Sequence, residues 1–291
     1  MGAGPTYVVT GAAGFIGRRV VGRLAATGSR VVALDPLGGG EWPEGVEWAE
    51  AAPRAEGGMV LVHLAWNMER GSATAQEESL ACFREWLARE DVDCVVGMGS
   101  AEEYGEREGR LNEDAAPGER LSPYGRAKHE ARRMLERWAA NGRGRRALWL
   151  RPFLVYGPGQ AGGMAIPFAL RCAKDGGIAE LTEGSQFRDF VHVDDVAGGV
   201  AAAAGSLEGA GPVFAACNLG RGEPVRLRDV LERIAQRMGA TERFRFGARA
   251  MRPGEPMEQY ADTGRAGTML GWSAKTPWEA GIDALCAGTV Q

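Results

Sequence analysis

Apolar positions along this chain fall into short unbroken runs, separated by stretches with helical spacing. Residues 7–10, Tyr-Val-Val-Thr, form the first run, and it breaks into Gly11-Ala12-Ala13-Gly14-Phe15-Ile16-Gly17. Ile16, Val20, Val21 and Leu24 then recur on one helical face, with a stop near Gly28. A second apolar run, 30–35, ends on Asp35. This strand–turn–helix–strand unit is the first half of a doubly wound sheet. Further strands are predicted at 60–64, 94–98 and 147–150, with helices at 76–89 and 123–140. Strands without polar alternation, interleaved with helices, predict a parallel sheet covered on both faces.

Past Gly157 the pattern changes to glycine clusters, shorter elements and Pro-marked turns. The predicted organisation is α/β: a main domain over 1–157 and a smaller C-terminal α/β lobe made of 158–187 and 221–291. A segment near 188–220 returns to the main domain, because 190–193 again reads as a strand. There is no internal repeat or low-complexity tract.

Composition narrows the function classes. With 291 residues, 45% hydrophobic and 25% charged, the chain suits a globular protein with a sizeable core. A net charge of −4 gives no electrostatic reason to expect nucleic acid or an anionic membrane as partner. Arg143, Arg145 and Arg146 read as a solvated turn. No apolar run approaches the roughly 18 residues of a membrane span, and no secretory signal opens the sequence. The opening Met1-Gly2-Ala3-Gly4-Pro5-Thr6 fits a loose acylation pattern, weakened by the strand that follows at once. Cys82, Cys94, Cys172, Cys217 and Cys286 lack metal or disulfide spacing and read as reduced, mostly buried thiols of a cytoplasmic protein. His63, His129 and His192 read as strand or helix surface positions, and no metal site is expected.

Gly11, Gly14 and Gly17 stand between a strand and a helix, which gives their spacing a physical meaning. Glycines allow a tight turn and close backbone approach, and the helix N-terminus offers free N–H groups and partial positive charge to a pyrophosphate. Asp35, ending the next strand, suits the hydroxyls of an adenosine ribose and would repel a 2′-phosphate. No Lys or Arg follows it before Arg54, so NAD is expected rather than NADP. The fold expected is therefore a Rossmann-type doubly wound sheet.

The chemistry points to Tyr124-Gly125-Arg126-Ala127-Lys128. On a helix the i and i+4 side chains share a face, and a nearby ammonium favours the phenolate. Ser100, just past the 94–98 strand, lies at the sheet edge where ligands bind in such folds and could bond a reacting oxygen.

Together these segments resemble the NAD-dependent epimerase/dehydratase family, the extended short-chain dehydrogenase/reductases. The resemblance runs in order through TGAAGFIG (10–17), VVALD (31–35), VHLAW (62–66), GSAEEYG (99–105), SPYGRAK (122–128), RPFLVYGPG (151–159), FRDFVHVDDV (187–196), CNLGRGEPVRLRDV (217–230) and RPGEPMEQYADTGRAGTMLGW (252–272). It implies Ser100, Tyr124 and Lys128 as the catalytic set, with Tyr124 and Lys128 also at the cofactor. It implies Gly11, Gly14, Phe15, Ile16, Gly17 and Asp35 as NAD-binding residues, with Leu64 and Ala65 lining its path. Arg188 and Arg252 would grip a substrate diphosphate, a task that suits the planar guanidinium fork.

Four positions depart from the family pattern. Leu154 stands where many relatives carry Asn, Gly99 where a second Ser is common, and Ser79 where an Asn is usual, while 35–60 is short and lacks a Gly-Asp acid. In 4,6-dehydratases the Ser-like residue is followed by an acid pair. Here Ala101-Glu102 keeps one acid, which disfavours elimination and leaves Glu102 as a candidate substrate contact or a loop acid.

The resemblance implies an NAD-dependent nucleotide-sugar epimerase acting at C4 through a transient ketone. The alternative is an NAD(P)H-dependent reductase of a 4-keto-6-deoxy nucleotide sugar, towards which Leu154 leans. A silent NAD(H)-binding sensor fits less well, because Ser100, Tyr124 and Lys128 are all present. A homodimer is expected, built on the helices at 76–89 and 123–140. Ala127, Met134, Leu135 and Trp138 in the second of these suit either an interface or the core.

Overall fold

The computed structural model describes residues 5–36, 41–54, 58–209 and 212–290. In chain order, β1 (Thr6–Thr10), α1 (Gly17–Ala25), β2 (Val31–Leu34), β3 (Val46–Ala49), β4 (Met59–His63), α2 (Ala73–Leu87) and β5 (Val92–Met98) come first. A single 3-10 turn (Ala101–Tyr104) and β6 (Gly109–Leu111) lead to α3 (Pro123–Ala140) and β7 (Arg146–Pro152). Then come β8 (Leu154–Tyr156), α4 (Ala165–Asp175), β9 (Ala179–Glu180), β10 (Phe187–Arg188), β11 (Phe190–His192), α5 (Val193–Ser206) and β12 (Phe214–Leu219). The last elements are β13 (Val225–Arg226), α6 (Leu227–Arg237), β14 (Phe244–Arg245), β15 (Glu258–Ala261), α7 (Gly264–Leu270) and α8 (Trp278–Val290). The acylation pattern at Met1-Gly2 lies outside the described residues.

The apolar runs become strands because both of their faces are covered. Seven strands form one parallel sheet in the order β12-β7-β5-β4-β1-β2-β3. Val20, Val21 and Leu24 of α1 pack with Val196 and Val200 of α5 on one face. Leu80 and Phe83 of α2 pack with Ala131, Leu135 and Trp138 of α3 on the other. The strand order reverses between β1 and β4, so the crevice that binds ligands in such folds opens at the ends of these strands, at Thr10 and His63. A separate core joins Ile166 and Leu170 of α4 to Leu231 and Ile234 of α6 and Ile282 of α8.

Several expectations shift. The helix expected at 76–89 begins at Ala73, capped by Ser72, whose side chain accepts from Ala75 N. The strand at 190–193 pairs with β8, while β12 joins the central sheet beside β7. The short stretch after Asp35 contains β3, an edge strand with exposed Trp48 that its polar composition concealed. Ala127, Leu135 and Trp138 are buried in the chain's own core, with Met134 packed against them. Cys82 is exposed and Cys172 half-buried, whereas Cys94, Cys217 and Cys286 are buried.

The histidine reading needs correction. His63 is 3% exposed and His192 is also buried, because β4 and β11 are covered. His63 Nδ1 lies 3.0 Å from Thr10 Oγ1 and its ring packs on Phe83, while Nε2 lacks a hydrogen-bond partner among the described residues. Burial, and then the charge of Lys128, push this imidazole down to about 3.

One buried charge ties the sheet to the turn after β5. The Glu103 carboxylate accepts from Ser100 N (2.9 Å), from Trp149 Nε1 (2.8 Å) and from Arg151 Nε (3.0 Å). Arg151 continues to Tyr104 Oη and to the Glu113 carbonyl, and Tyr104 donates to Asn218 Oδ1 at 2.7 Å. The Gly99 departure follows from this packing. A Cβ there would fall 2.3 Å from both Glu103 Oε1 and Trp149 Nε1, so no serine fits.

Two outcomes are expected. Glu103→Gln leaves Arg151 as an uncompensated buried cation and should lower unfolding stability by about 3–5 kcal/mol, read by urea denaturation; unchanged stability would contradict the role given to this carboxylate. His63 has a folded-state pKa below its unfolded value of 6.5, so the unfolded chain takes up the proton first and stability is lost as pH falls from 6.5 towards about 3. The urea midpoint should fall less steeply over that window in His63→Gln, and parallel curves would refute the assignment.

Candidate active site

The glycine turn is built for close approach. Gly11 holds φ +66°, and the turn sits against the Leu64–Ala65 backbone, so close that a Cβ on Gly11 would meet Ala65 N at 2.8 Å. A Cβ on Gly17 would lie 2.1 Å from Gly11 O, so only glycine lets α1 start directly on the turn. Leu64 N and Ala65 N both donate to Thr10 Oγ1 at 3.2 Å. Asp35 is buried, and its Oδ2 accepts from Ala13 N at 3.0 Å, which places a carboxylate on the turn itself. Phe15 and Ile16 are half-buried, with Ile16 at the N-cap of α1 and packed on the core. The fold thus brings the predicted cofactor residues together, and this cradle with its carboxylate fits a dinucleotide.

Ser122 caps α3 by accepting from Gly125 N at 2.9 Å, and Pro123 opens the helix. That start puts Tyr124 and Lys128 on the buried face of the helix. Lys128 Nζ donates to Met98 O at 2.7 Å, stands 3.6 Å over the Trp66 ring and is 5.6 Å from the centre of the Tyr124 ring. Burial pushes the Tyr124 phenol up to about 12, opposed by Arg70. Burial likewise lowers the Lys128 ammonium well below its ordinary range, opposed by Glu103. Ser100, Tyr124 and Lys128 therefore converge at the carboxyl edge of β5.

The motifs did not reveal the loop between β4 and α2. Trp66 Nε1 donates to Gln76 Oε1 at 2.7 Å, and Gln76 Nε2 reaches the Asn67 and Glu69 carbonyls. Ser79, the departure from Asn, accepts from Asn67 N at 3.1 Å and so ties this loop to α2. The loop delivers Arg70 to the site, where Nη1 lies 2.6 Å from Glu102 Oε1. Glu102 Oε2 accepts from Ser122 Oγ at 2.9 Å, so this acid lines the site instead of standing free in a loop. Arg70 carries no local signal, because its role depends on a helix far along the chain.

The two predicted phosphate arginines part company. Arg188 is largely buried and pairs with Glu255 at 3.1 Å. Its neighbour Asp189 accepts from Arg221 N, Gly222 N and Ala261 N, fixing β10 in place. Arg252 is exposed, and the inward contact from its loop is made by Glu255. Leu154 is half-buried and packs against the separate core formed with α4, α6 and α8. No group of three or more His, Cys, Asp or Glu among the described residues could hold a metal ion. No described helix is long and apolar enough to cross a membrane.

Comparison with known proteins agrees with this fold. The profile of the NAD dependent epimerase/dehydratase family matches residues 7–217. A UDP-glucose 4-epimerase of Azospirillum brasilense is 30% identical over 315 residues, covering 94% of this chain and 88% of the relative. A CDP-abequose synthase of Salmonella muenchen is 34% identical over 129 residues, covering 44% of this chain and 43% of that one. Among solved structures, MoeE5 in complex with UDP-glucose and NAD aligns with a TM-score of 0.84 at 30% identity, over 98% of both chains. The chain belongs to the NAD-dependent epimerase/dehydratase family, as an enzyme of that type with NAD as its cofactor.

Proposed function

We propose that this enzyme is a nucleotide-sugar 4-epimerase. The observation that carries the reading is that Tyr124 and Lys128, one turn apart on the buried face of α3, meet the turn after β5 that carries Ser100, with Lys128 Nζ bonded to Met98 O. NAD, when bound in the glycine cradle, supplies reversible hydride acceptance. Tyr124 Oη takes the proton of the C4 hydroxyl and later returns it to the C4 oxygen, while Ser100 Oγ steadies that oxygen. Lys128 favours the phenolate by its charge. Arg188, with Arg252 nearer the solvent, holds the diphosphate, so the sugar can turn while its anchor stays fixed. The UDP-glucose relative and the sugar-nucleotide complex of MoeE5 support this class of substrate.

A second reading is supported by Leu154 and by the CDP-abequose synthase relative: reduction of a 4-keto nucleotide sugar by the same residues. A homodimer in the cytoplasm belongs to both readings and rests on family likeness.

The test is incubation of the purified protein with UDP-glucose and NAD, read by chromatography of the nucleotide sugars. Inversion at C4 with no net change in NADH absorbance is expected. Steady NADH consumption with a 4-keto-6-deoxy sugar nucleotide, and no inversion, would move the assignment to the reductase. Tyr124→Phe should lower kcat by roughly 10²–10⁴-fold, and undiminished turnover would remove Tyr124 from the reaction. Arg188→Ala should raise KM about 10–100-fold with kcat nearly unchanged, since it removes a charge-assisted contact distant from C4; an unchanged KM would show that the diphosphate is held elsewhere.

A further inference from the structure

The loop that delivers Arg70 is fixed from both sides. Gln76, 2% exposed, spends its whole amide on Trp66, Asn67 and Glu69, and Ser79 holds Asn67. At the end of this loop the Arg70 carbonyl accepts from Tyr124 N at 3.2 Å. The Arg70 guanidinium carbon stands 5.0 Å from the centre of the Tyr124 ring, nearer than Lys128 Nζ at 5.6 Å. Its Nη1 is held 2.6 Å from Glu102 Oε1, and Glu102 is held in turn by Ser122, the cap of the helix that carries Tyr124. Arg70 is thus referenced to Tyr124 through its own backbone, through the ring and through the helix cap.

We infer that Arg70 is a positioning residue that fixes the Tyr124 ring and stabilises its phenolate, with Glu102 limiting how much of the Arg70 charge the ring feels. The inference rests on the reading of Tyr124 as the proton-transfer group. Lys128 supplies only part of that stabilisation, because its Nζ stands farther from the ring than the Arg70 guanidinium and burial disfavours its charged form. The groups facing Tyr124 are Arg70 from the loop before α2, Ser100, Glu102 and Glu103 from the turn after β5, and Lys128 from α3 itself. Arg70 acts in favour of the phenolate, and Glu102 and Glu103 act against it. An arginine that only braced two loops would lower activity equally at every pH.

The experiment compares Arg70→Gln, Arg70→Lys and Glu102→Gln with the unaltered enzyme, all saturated with NAD. Phenolate absorbance is titrated with pH against a Tyr124→Phe reference, and kcat/KM on UDP-glucose is followed over the same range. In Arg70→Gln the phenolate midpoint should rise by about one pH unit. The accompanying loss in kcat/KM, about tenfold at neutral pH, should be regained one unit higher. Arg70→Lys should retain most of the effect. Glu102→Gln, which keeps an acceptor for Arg70, should move the midpoint down. A pH-independent loss in Arg70→Gln, or an unmoved phenolate midpoint, would overturn the inference. Full turnover by Tyr124→Phe would instead overturn the assignment of Tyr124, and the absorbance titration needs no substrate, so the two failures are distinguishable.

Discussion

The site depends on the buried carboxylate of Glu103. A charge with no solvent exposure is tolerable only when it is paired and hydrogen-bonded, and Ser100 N, Trp149 Nε1 and Arg151 Nε together meet that need. The turn after β5 therefore cannot drift: Ser100 is fastened through its backbone, and the strand below is fastened through Trp149 and Arg151. The same demand removes side chains nearby, since the Trp149 ring would meet a Cβ on Gly97 at 2.5 Å and on Gly99 at 2.3 Å. Arg151 then extends the constraint through Tyr104 and Asn218 to β12 and β6. A rigid sheet edge follows from one ion pair and its hydrogen bonds.

Onto this edge the fold places groups whose charged forms are disfavoured. Tyr124, Lys128 and His63 are all buried, and burial moves each towards neutrality. For His63 neutrality suits the packing of β4 against Phe83. For Tyr124 it opposes the proposed chemistry, because a base must give up its proton before it accepts another. The balance is redressed by charge brought from outside the core. Arg70 arrives on a loop where partial exposure makes its charge inexpensive, and Glu102 holds it in register with the ring.

What could be read in the sequence was what is local. The glycine turn, Asp35 and the Tyr124–Lys128 spacing each lie within one strand–helix unit or one helical turn, so pattern alone brought them together. Arg70 and Glu255 were missed because their meaning lies in partners remote along the chain. β3 was missed because an edge strand with exposed Glu47 and Trp48 has no apolar run to announce it. His63 was read as surface because it is polar, whereas Phe83 of α2 packs on its ring and covers it. Gly99 looked like a lost hydroxyl, and proves to be the space that Glu103 and Trp149 require.

The same distinction bears on substrate recognition. Sequence likeness treated Arg188 and Arg252 as equals, yet only Arg188 is withdrawn from water, and it already holds a carboxylate partner in Glu255. A diphosphate reaching Arg188 must share or displace that carboxylate. The exchange is favourable only for a ligand with at least as much negative charge and with acceptors spaced for the guanidinium fork. A neutral sugar offers neither. Under the proposed function, the Arg188–Glu255 pair would favour sugars that carry a diphosphate over those that do not.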